Sequence, residues 1–222
     1  MLRVFVGYEP RQPLAYNVLQ HSIQRHSKQT VAVIPLRLDH MPVKRRGLTE
    51  FTYSRFLVPY LSGYTHQSVF MDADIVVKAD IAELFDCIDL TCSVQVQKNQ
   101  AQFEWASVML FNNYKCQTLT PQYVADESNV LFDLAWAQKV GELPDEWNHC
   151  VGYAEPKEAK LYHYTQGLPC WYESRGLPED AHWIDEHKEM LRTCQWSELM
   201  GASVHAKPVI KRMLRRLGAD PA

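Results

Sequence analysis

Two aspartates separated by one small residue, Asp72-Ala73-Asp74, stand between the apolar runs Val69-Phe70-Met71 and Ile75-Val76-Val77. Side chains of an extended segment alternate faces with a period of two, so the two carboxylates are expected on one side, with Ala73 keeping the position between them small. Paired carboxylates repel each other and stay ionised only where a cation or hydrogen-bond donors compensate them. Hard oxygen ligands of this kind suit Mg²⁺ or Mn²⁺, with phosphate oxygens completing the shell. Such an ion acts as a Lewis acid that offsets charge developing on a departing diphosphate. A plainer reading stands beside this one: one aspartate caps the following helix and the other is solvated.

The second stretch able to do chemistry is Leu161-Tyr162-His163-Tyr164, which runs into Gly167-Leu168-Pro169. A short apolar and aromatic strand would deliver His163 to its end, and the glycine and proline would then turn the chain. A neutral imidazole there could be a third ligand to the same ion; equally, it could be a hydrogen-bonded packing residue. The chain has nine histidines, so position carries more weight than presence.

These groups need a scaffold. Residues 2–7 form a strand pattern, Leu14 to Ile23 keep a helical period behind Pro13, and 31–36 form a second strand pattern. Strand, helix, strand at this spacing is the βαβ signature of a parallel sheet with covering helices. Residues 40–50 are a loop with Pro42 and Gly47 as breakers. A helical period follows at Phe56, Leu57, Tyr60 and Leu61. A strand region is expected over 68–77, a short helix over 79–85, strands at 94–96 and 108–111, and a helix from Asp126 to Gly141. The class is α/β, as a single domain over 1–222. At its C-terminal end a basic amphipathic helix is expected at about 205–217, with Val209, Ile210, Met213, Leu214 and Leu217 on one face.

The bulk properties narrow the classes further. Of 222 residues, 46% are hydrophobic, enough for a sizeable core, and the net charge of −3 argues against a dedicated nucleic-acid binder. No apolar run reaches the roughly 18–20 residues that span a bilayer, and the opening Met-Leu-Arg-Val-Phe-Val-Gly reads as a strand rather than a signal peptide. A cytoplasmic location is the expectation. The tail helix could lie on the inner, anionic membrane face, or could close the core with its charges solvated. The six scattered cysteines fit reduced core thiols better than a disulfide framework or a zinc site.

Taken together, four segments resemble the GT-A glycosyltransferases of family 8 and related bacterial and phage sequences. Phe5-Val6-Gly7-Tyr8-Glu9 resembles the first strand and nucleotide-binding loop, and Thr52 to Pro59 resembles the helix whose arginine lies beside the donor. Val69 to Val77 resembles the Asp-x-Asp strand, and Leu161 to Trp171 resembles the segment carrying a metal-binding histidine. The similarity spans about 2–171. It implies a Rossmann-like, mostly parallel mixed sheet with helices on both faces. It also implies transfer of a sugar from a UDP-linked nucleotide-sugar to a glycan, lipid-linked or other hydroxyl acceptor, with retention of configuration. By the same resemblance Asp72, Asp74 and His163 hold Mn²⁺ or Mg²⁺, Tyr8 packs near the base and Arg55 approaches the donor. Asp133 and Asn148 are candidates to line the sugar pocket, although Asp133 also reads as an ordinary helix-surface carboxylate. Two positions depart from the family pattern: Pro169 stands where a lysine usually meets the diphosphate, and Trp105-Ala106-Ser107 replaces Asn-Ser-Gly. Two rivals stay open. One is a non-catalytic nucleotide-sugar or glycan binder of the same fold. The other is an Asp-x-Asp phosphatase, whose motif normally sits in the opening strand and continues into Gly or Thr rather than Ile-Val-Val.

Overall fold

The computed structural model describes residues 1–98 and 102–193, so the expected helix at 205–217 and Cys194 lie outside the described residues. Strand β1 (Leu2–Gly7), helix α1 (Pro13–His26) and strand β2 (Val31–Leu36) form the βαβ unit, with Pro13 at the first helical position. A 3₁₀ turn, Ser54–Leu57, runs straight into α2 (Val58–Leu61), so the helical period at 56–61 belongs to two short pieces. Then come β3 (Gln67–Met71), β4 (Ile75–Val77), α3 (Ala82–Phe85), β5 (Val94–Val96), β6 (Val108–Asn112) and α4 (Pro121–Ala125). The described chain closes with β7 (Val140–Glu142), β8 (His149–Cys150), β9 (Leu161–His163) and α5 (Asp180–Thr193).

Six strands make the main sheet in the order β2-β1-β3-β6-β5-β7. All run in one direction except β6, which is antiparallel to both β3 and β5. A smaller sheet holds β4, β9 and β8, with β9 in the middle. The period of two sorts the main sheet's side chains into two cores. Val4, Val6, Val69, Met71, Val108 and Leu110 pack on one side against α1, the small sheet and Trp183 of α5. Phe5, Phe70, Met109 and Phe111 point the other way, onto Phe56, Leu57 and Val58 of the 3₁₀–α2 segment and Val124 of α4. Helices therefore cover both faces of a mostly parallel sheet. No helix among the described residues is long and apolar enough to cross a membrane.

Helices α1 and α5 are joined by charge. The carboxylate of Glu186 on α5 has no solvent exposure and takes Arg25 at 2.8 Å and His21 Nδ1 at 2.7 Å, both from α1.

Two segments depart from expectation. The region 68–77 is two strands in two different sheets, because the chain breaks at Asp72–Asp74. Residues 126–139 form successive turns rather than a helix, although Leu131, Leu134 and Trp136 still bury themselves in the second core. The physical cause is local competition for backbone groups. The Asp126 carboxylate accepts the Ser128 N–H at 2.9 Å, that of Asp133 accepts the Ala135 N–H at 3.0 Å, and Leu134 sits at φ +58°. Each of these offers the chain a turn in place of the helical ladder.

Phe70 has no solvent exposure on the central strand β3. Phe70→Ala is expected to lower unfolding free energy by roughly 3–5 kcal/mol, read from urea denaturation; a loss below about 1 kcal/mol would mean the second core collapses onto the gap.

Candidate active site

The chain leaves the main sheet at Met71 and joins the small sheet at Ile75, so Asp72-Ala73-Asp74 is the seam between them. Each aspartate's backbone is tied to a different side. The Asp72 N–H donates to Ser107 O at 2.8 Å, just before β6, while Asp74 O accepts the Tyr164 N–H at 2.8 Å, just after β9. Strand β9 pairs antiparallel with β4, placing His163 opposite Ile75. The consequence is convergence: ligand atoms of Asp72, Asp74 and His163 all lie within 4.8 Å of one another. The carboxylates come together through this bend and the strand pairing, not through the alternation of a single continuous strand.

Behind the cluster runs a buried polar chain. His163 and Asn148 are each 1% exposed. Asn148 Nδ2 donates to Ser107 Oγ at 3.0 Å, which leaves its Oδ1 as the acceptor facing His163 Nδ1 at 3.1 Å. In the neutral ring this orientation puts the imidazole hydrogen on Nδ1 and turns Nε2 toward Asp74 Oδ1, 3.3 Å away. A lone pair held against a carboxylate is unfavourable unless a proton or a metal ion lies between them. The donor set, two carboxylate oxygens and one imidazole nitrogen, suits a small divalent cation.

Arg55 sits behind Asp72. Its guanidinium meets Asp72 Oδ1 at 3.0 Å, donates to Ala106 O at 2.7 Å and to Thr52 O at 3.1 Å, and stacks 4.8 Å from the Phe70 ring. With this side chain buried, Arg55 braces Asp72 rather than reaching into solvent. The pair is graded in exposure: the Asp72 side chain is 15% exposed and that of Asp74 32%. Tyr8 packs edge-on against Tyr16, 5.5 Å between centroids, beneath the Arg37 guanidinium. Asp133 is exposed, and its carboxylate is turned onto the Ala135 amide. The structure thus brings Asp72, Asp74, His163, Asn148 and Arg55 into one network and leaves Asp133 outside it.

Three further residues matter whose individual contacts the sequence reading did not anticipate. Ser107 anchors Asn148, and nothing in its spacing marks it. Glu9 and Arg11 form a forked pair just past β1, with Arg11 Nε at 2.8 Å and its NH2 nitrogen at 2.9 Å from the carboxylate oxygens; the Glu9-x-Arg11 spacing was the available signal. Glu9 also accepts the backbone N–H of Arg11 at 3.2 Å and of Glu50 at 3.4 Å, which fastens the 46–50 loop to the end of β1. Gly7 makes this approach possible, because a Cβ there would lie 2.4 Å from the Phe51 ring. Around these residues lie two adjoining cavities of about 340 and 460 Å³, which share Glu9, Arg11, Leu48 and Thr49.

The Arg11 guanidinium, followed by the backbone N–H donors, holds the Glu9 carboxyl down at about 2 from its ordinary 4.5. A depressed folded value stabilises the fold fully above the ordinary value, and the contribution is lost as pH falls from 4.5 toward about 2. Glu9→Gln is therefore expected to lower the urea midpoint at neutral pH. Its deficit against wild type should narrow between about pH 5 and about pH 3, whereas a constant deficit would refute the ionic origin.

Comparison with known proteins identifies the family and the fold. Residues 11–116 match the model of glycosyl transferase family 8. Protein CDI of Arabidopsis thaliana is 33% identical over 224 residues, covering 84% of this chain and 86% of that protein. The bifunctional glycosyltransferase WbbM superposes with a TM-score of 0.64 at 16% identity, over 86% of this chain and 51% of WbbM. The glycosyltransferase GlyE of Streptococcus pneumoniae gives 0.64 at 15% identity, over 86% of this chain and 62% of GlyE. The galactosyltransferase LgtC, solved in complex with donor and acceptor sugar analogs, gives 0.58 at 11% identity, over 85% of this chain and 96% of LgtC. The chain thus spans about half the length of WbbM and under two thirds of GlyE, and at these identities the three structures share its fold. With one-third identity across most of the Arabidopsis protein, the chain belongs to glycosyl transferase family 8.

Proposed function

We propose that this glycosyltransferase moves a sugar from a UDP-linked nucleotide-sugar to a hydroxyl of a carbohydrate or lipid-linked acceptor, with retention of configuration, using Mn²⁺ or Mg²⁺ held by Asp72, Asp74 and His163. The observation that carries this reading is the convergence of three ligand atoms within 4.8 Å, with His163 Nε2 3.3 Å from Asp74 Oδ1. When bound, the ion supplies Lewis-acid compensation for the charge left on the nucleotide diphosphate.

The chain's own residues do the rest. Asn148 is a positioning residue: it fixes the His163 ring through Nδ1, so that Nε2 faces the cluster. Arg55 orients Asp72 from behind as its ion-pair partner at 3.0 Å. Asp74, the more exposed carboxylate, is the one open to the incoming ligand. Tyr8, directly after β1, is the residue we assign to pack against the nucleotide base. Pro169 stands where a diphosphate-binding lysine is usual, and the exposed Arg46 on the wall of the 340 Å³ cavity is a candidate to meet the diphosphate in its place. Asp133, exposed and accepting the Ala135 N–H, is kept as a candidate to line the sugar pocket. A phosphatase reading falls with the family assignment and with the motif's place after the third strand rather than the first.

A panel of UDP-hexoses with and without Mn²⁺ tests the proposal by thermal denaturation. A ligand at about a hundred times its Kd should add about 2.7 kcal/mol of stability, dependent on both components. Asp74→Asn is expected to abolish that gain while remaining folded. Asn148→Leu is expected to weaken Mn²⁺ binding about 10–100-fold in a direct titration. A wild-type protein unmoved by every UDP-hexose with Mn²⁺ would overturn the assignment.

A further inference from the structure

A buried pair lies on the reverse side of strand β8 from the metal cluster. His149 Nε2 meets Glu179 Oε1 at 2.5 Å, with the two side chains 0% and 6% exposed. A pair this dry is weak support for stability, because desolvating the carboxylate offsets much of the attraction. What it supplies that an apolar contact would not is a fixed distance and direction.

Strand alternation shows what the pair fixes. Asn148 directly precedes β8, whose His149 pairs with Tyr162 and whose Cys150 pairs with His163. Asn148 Oδ1 lies 3.1 Å and Cys150 Sγ 4.0 Å from His163 Nδ1, so both side chains take the His163 face. His149 takes the other face, edge-on to Tyr162 at 5.7 Å between centroids and turned to Glu179. Strand β8 is two residues long and lies at the edge of the small sheet, so its backbone pairing is brief. The contact with Glu179 fastens from behind the strand end that carries Asn148.

Glu179 also reaches the other partner of that hydrogen bond. Its carbonyl accepts the Tyr164 hydroxyl at 2.8 Å, and Tyr164 directly follows His163. The Tyr164 N–H in turn donates to Asp74 O at 2.8 Å. The carboxylate of Glu179 thus holds the residue after Asn148, and its carbonyl holds the residue after His163. The Lys157 N–H, donating to the same carboxylate oxygen at 3.3 Å, keeps Glu179 itself in place.

Resting on the metal reading above, we infer that Glu179 is a positioning residue of that centre. Through His149 and Tyr164 it sets the Asn148–His163 hydrogen bond, and with it the nitrogen that His163 presents to a divalent cation.

Long-range proton–nitrogen NMR of the metal-free full chain reads the His163 tautomer, and direct titration with Mn²⁺ reads affinity. Wild type is expected to keep the His163 hydrogen on Nδ1. Glu179→Leu should give a mixture of tautomers and raise the Mn²⁺ Kd about tenfold. Glu179→Gln, whose amide oxygen still accepts from His149, should restore most of both. Val124→Ala, in the second core across the main sheet, controls for lost stability alone and should move neither. If Glu179→Leu fails to fold, the double variant His149→Phe/Glu179→Leu takes its place with the same expected result, since replacing both partners by apolar groups leaves no buried polar group unpaired. The proposal is overturned if the tautomer and the Kd stay at their wild-type values in the variant that folds, or if Val124→Ala moves them as far. A failed metal reading registers separately, as wild type that binds no Mn²⁺ while its His163 tautomer still depends on Glu179.

Discussion

Two carboxylates and an imidazole held within 4.8 Å of one another are an electrostatic cost that the rest of the molecule is built to sustain. The chain meets it by placing the aspartates where one sheet hands over to another. Asp72 is fastened to the large sheet through Ser107 and Asp74 to the small sheet through Tyr164, so neither can retreat from the other without breaking strand edges. Arg55 offsets part of the charge from behind, and the Ser107–Asn148–His163 chain fixes the third group from the side. What stays uncompensated faces outward, at Asp74.

This arrangement divides labour by burial. His163, Asn148 and Arg55 are nearly closed to solvent and act on orientation, where low dielectric strengthens each hydrogen bond. Asp74 and the cavity walls are open and act on ligands. The second core, rich in Phe51, Phe56, Phe70 and Phe111, backs the arginine with aromatic rings and so packs a guanidinium against an apolar layer.

The βαβ opening, the alternation of Val69 to Met71 and the strand carrying His163 were readable, because each rests on local periodicity that tertiary context reinforces. The helix expected over 126–141 was not there, since Asp126 and Asp133 capture nearby backbone N–H groups and their turns still deliver Leu131, Leu134 and Trp136 to the core. The residues that could hold a metal were visible as a motif plus a resemblance. The reason for their meeting was not: a bend between sheets leaves no periodic trace, and Ser107 gains its place only through a pairing 41 residues away. That Arg55 pairs with Asp72 depends on side-chain direction, which spacing alone does not reveal.

The clasp between α1 and α5 reaches further than the two helices. The segment 9–12 leads directly into α1, and Trp171 leads through the Asp180-capped turn into α5, so both flanks of the larger cavity hang from helices bolted together by Glu186. The segments carrying Gln12 and Trp171 are thus each continuous with one of the two helices that Glu186 clasps. The 46–50 loop, which lines the same cavity through Leu48 and Thr49, is fastened to the β1 flank by Glu9.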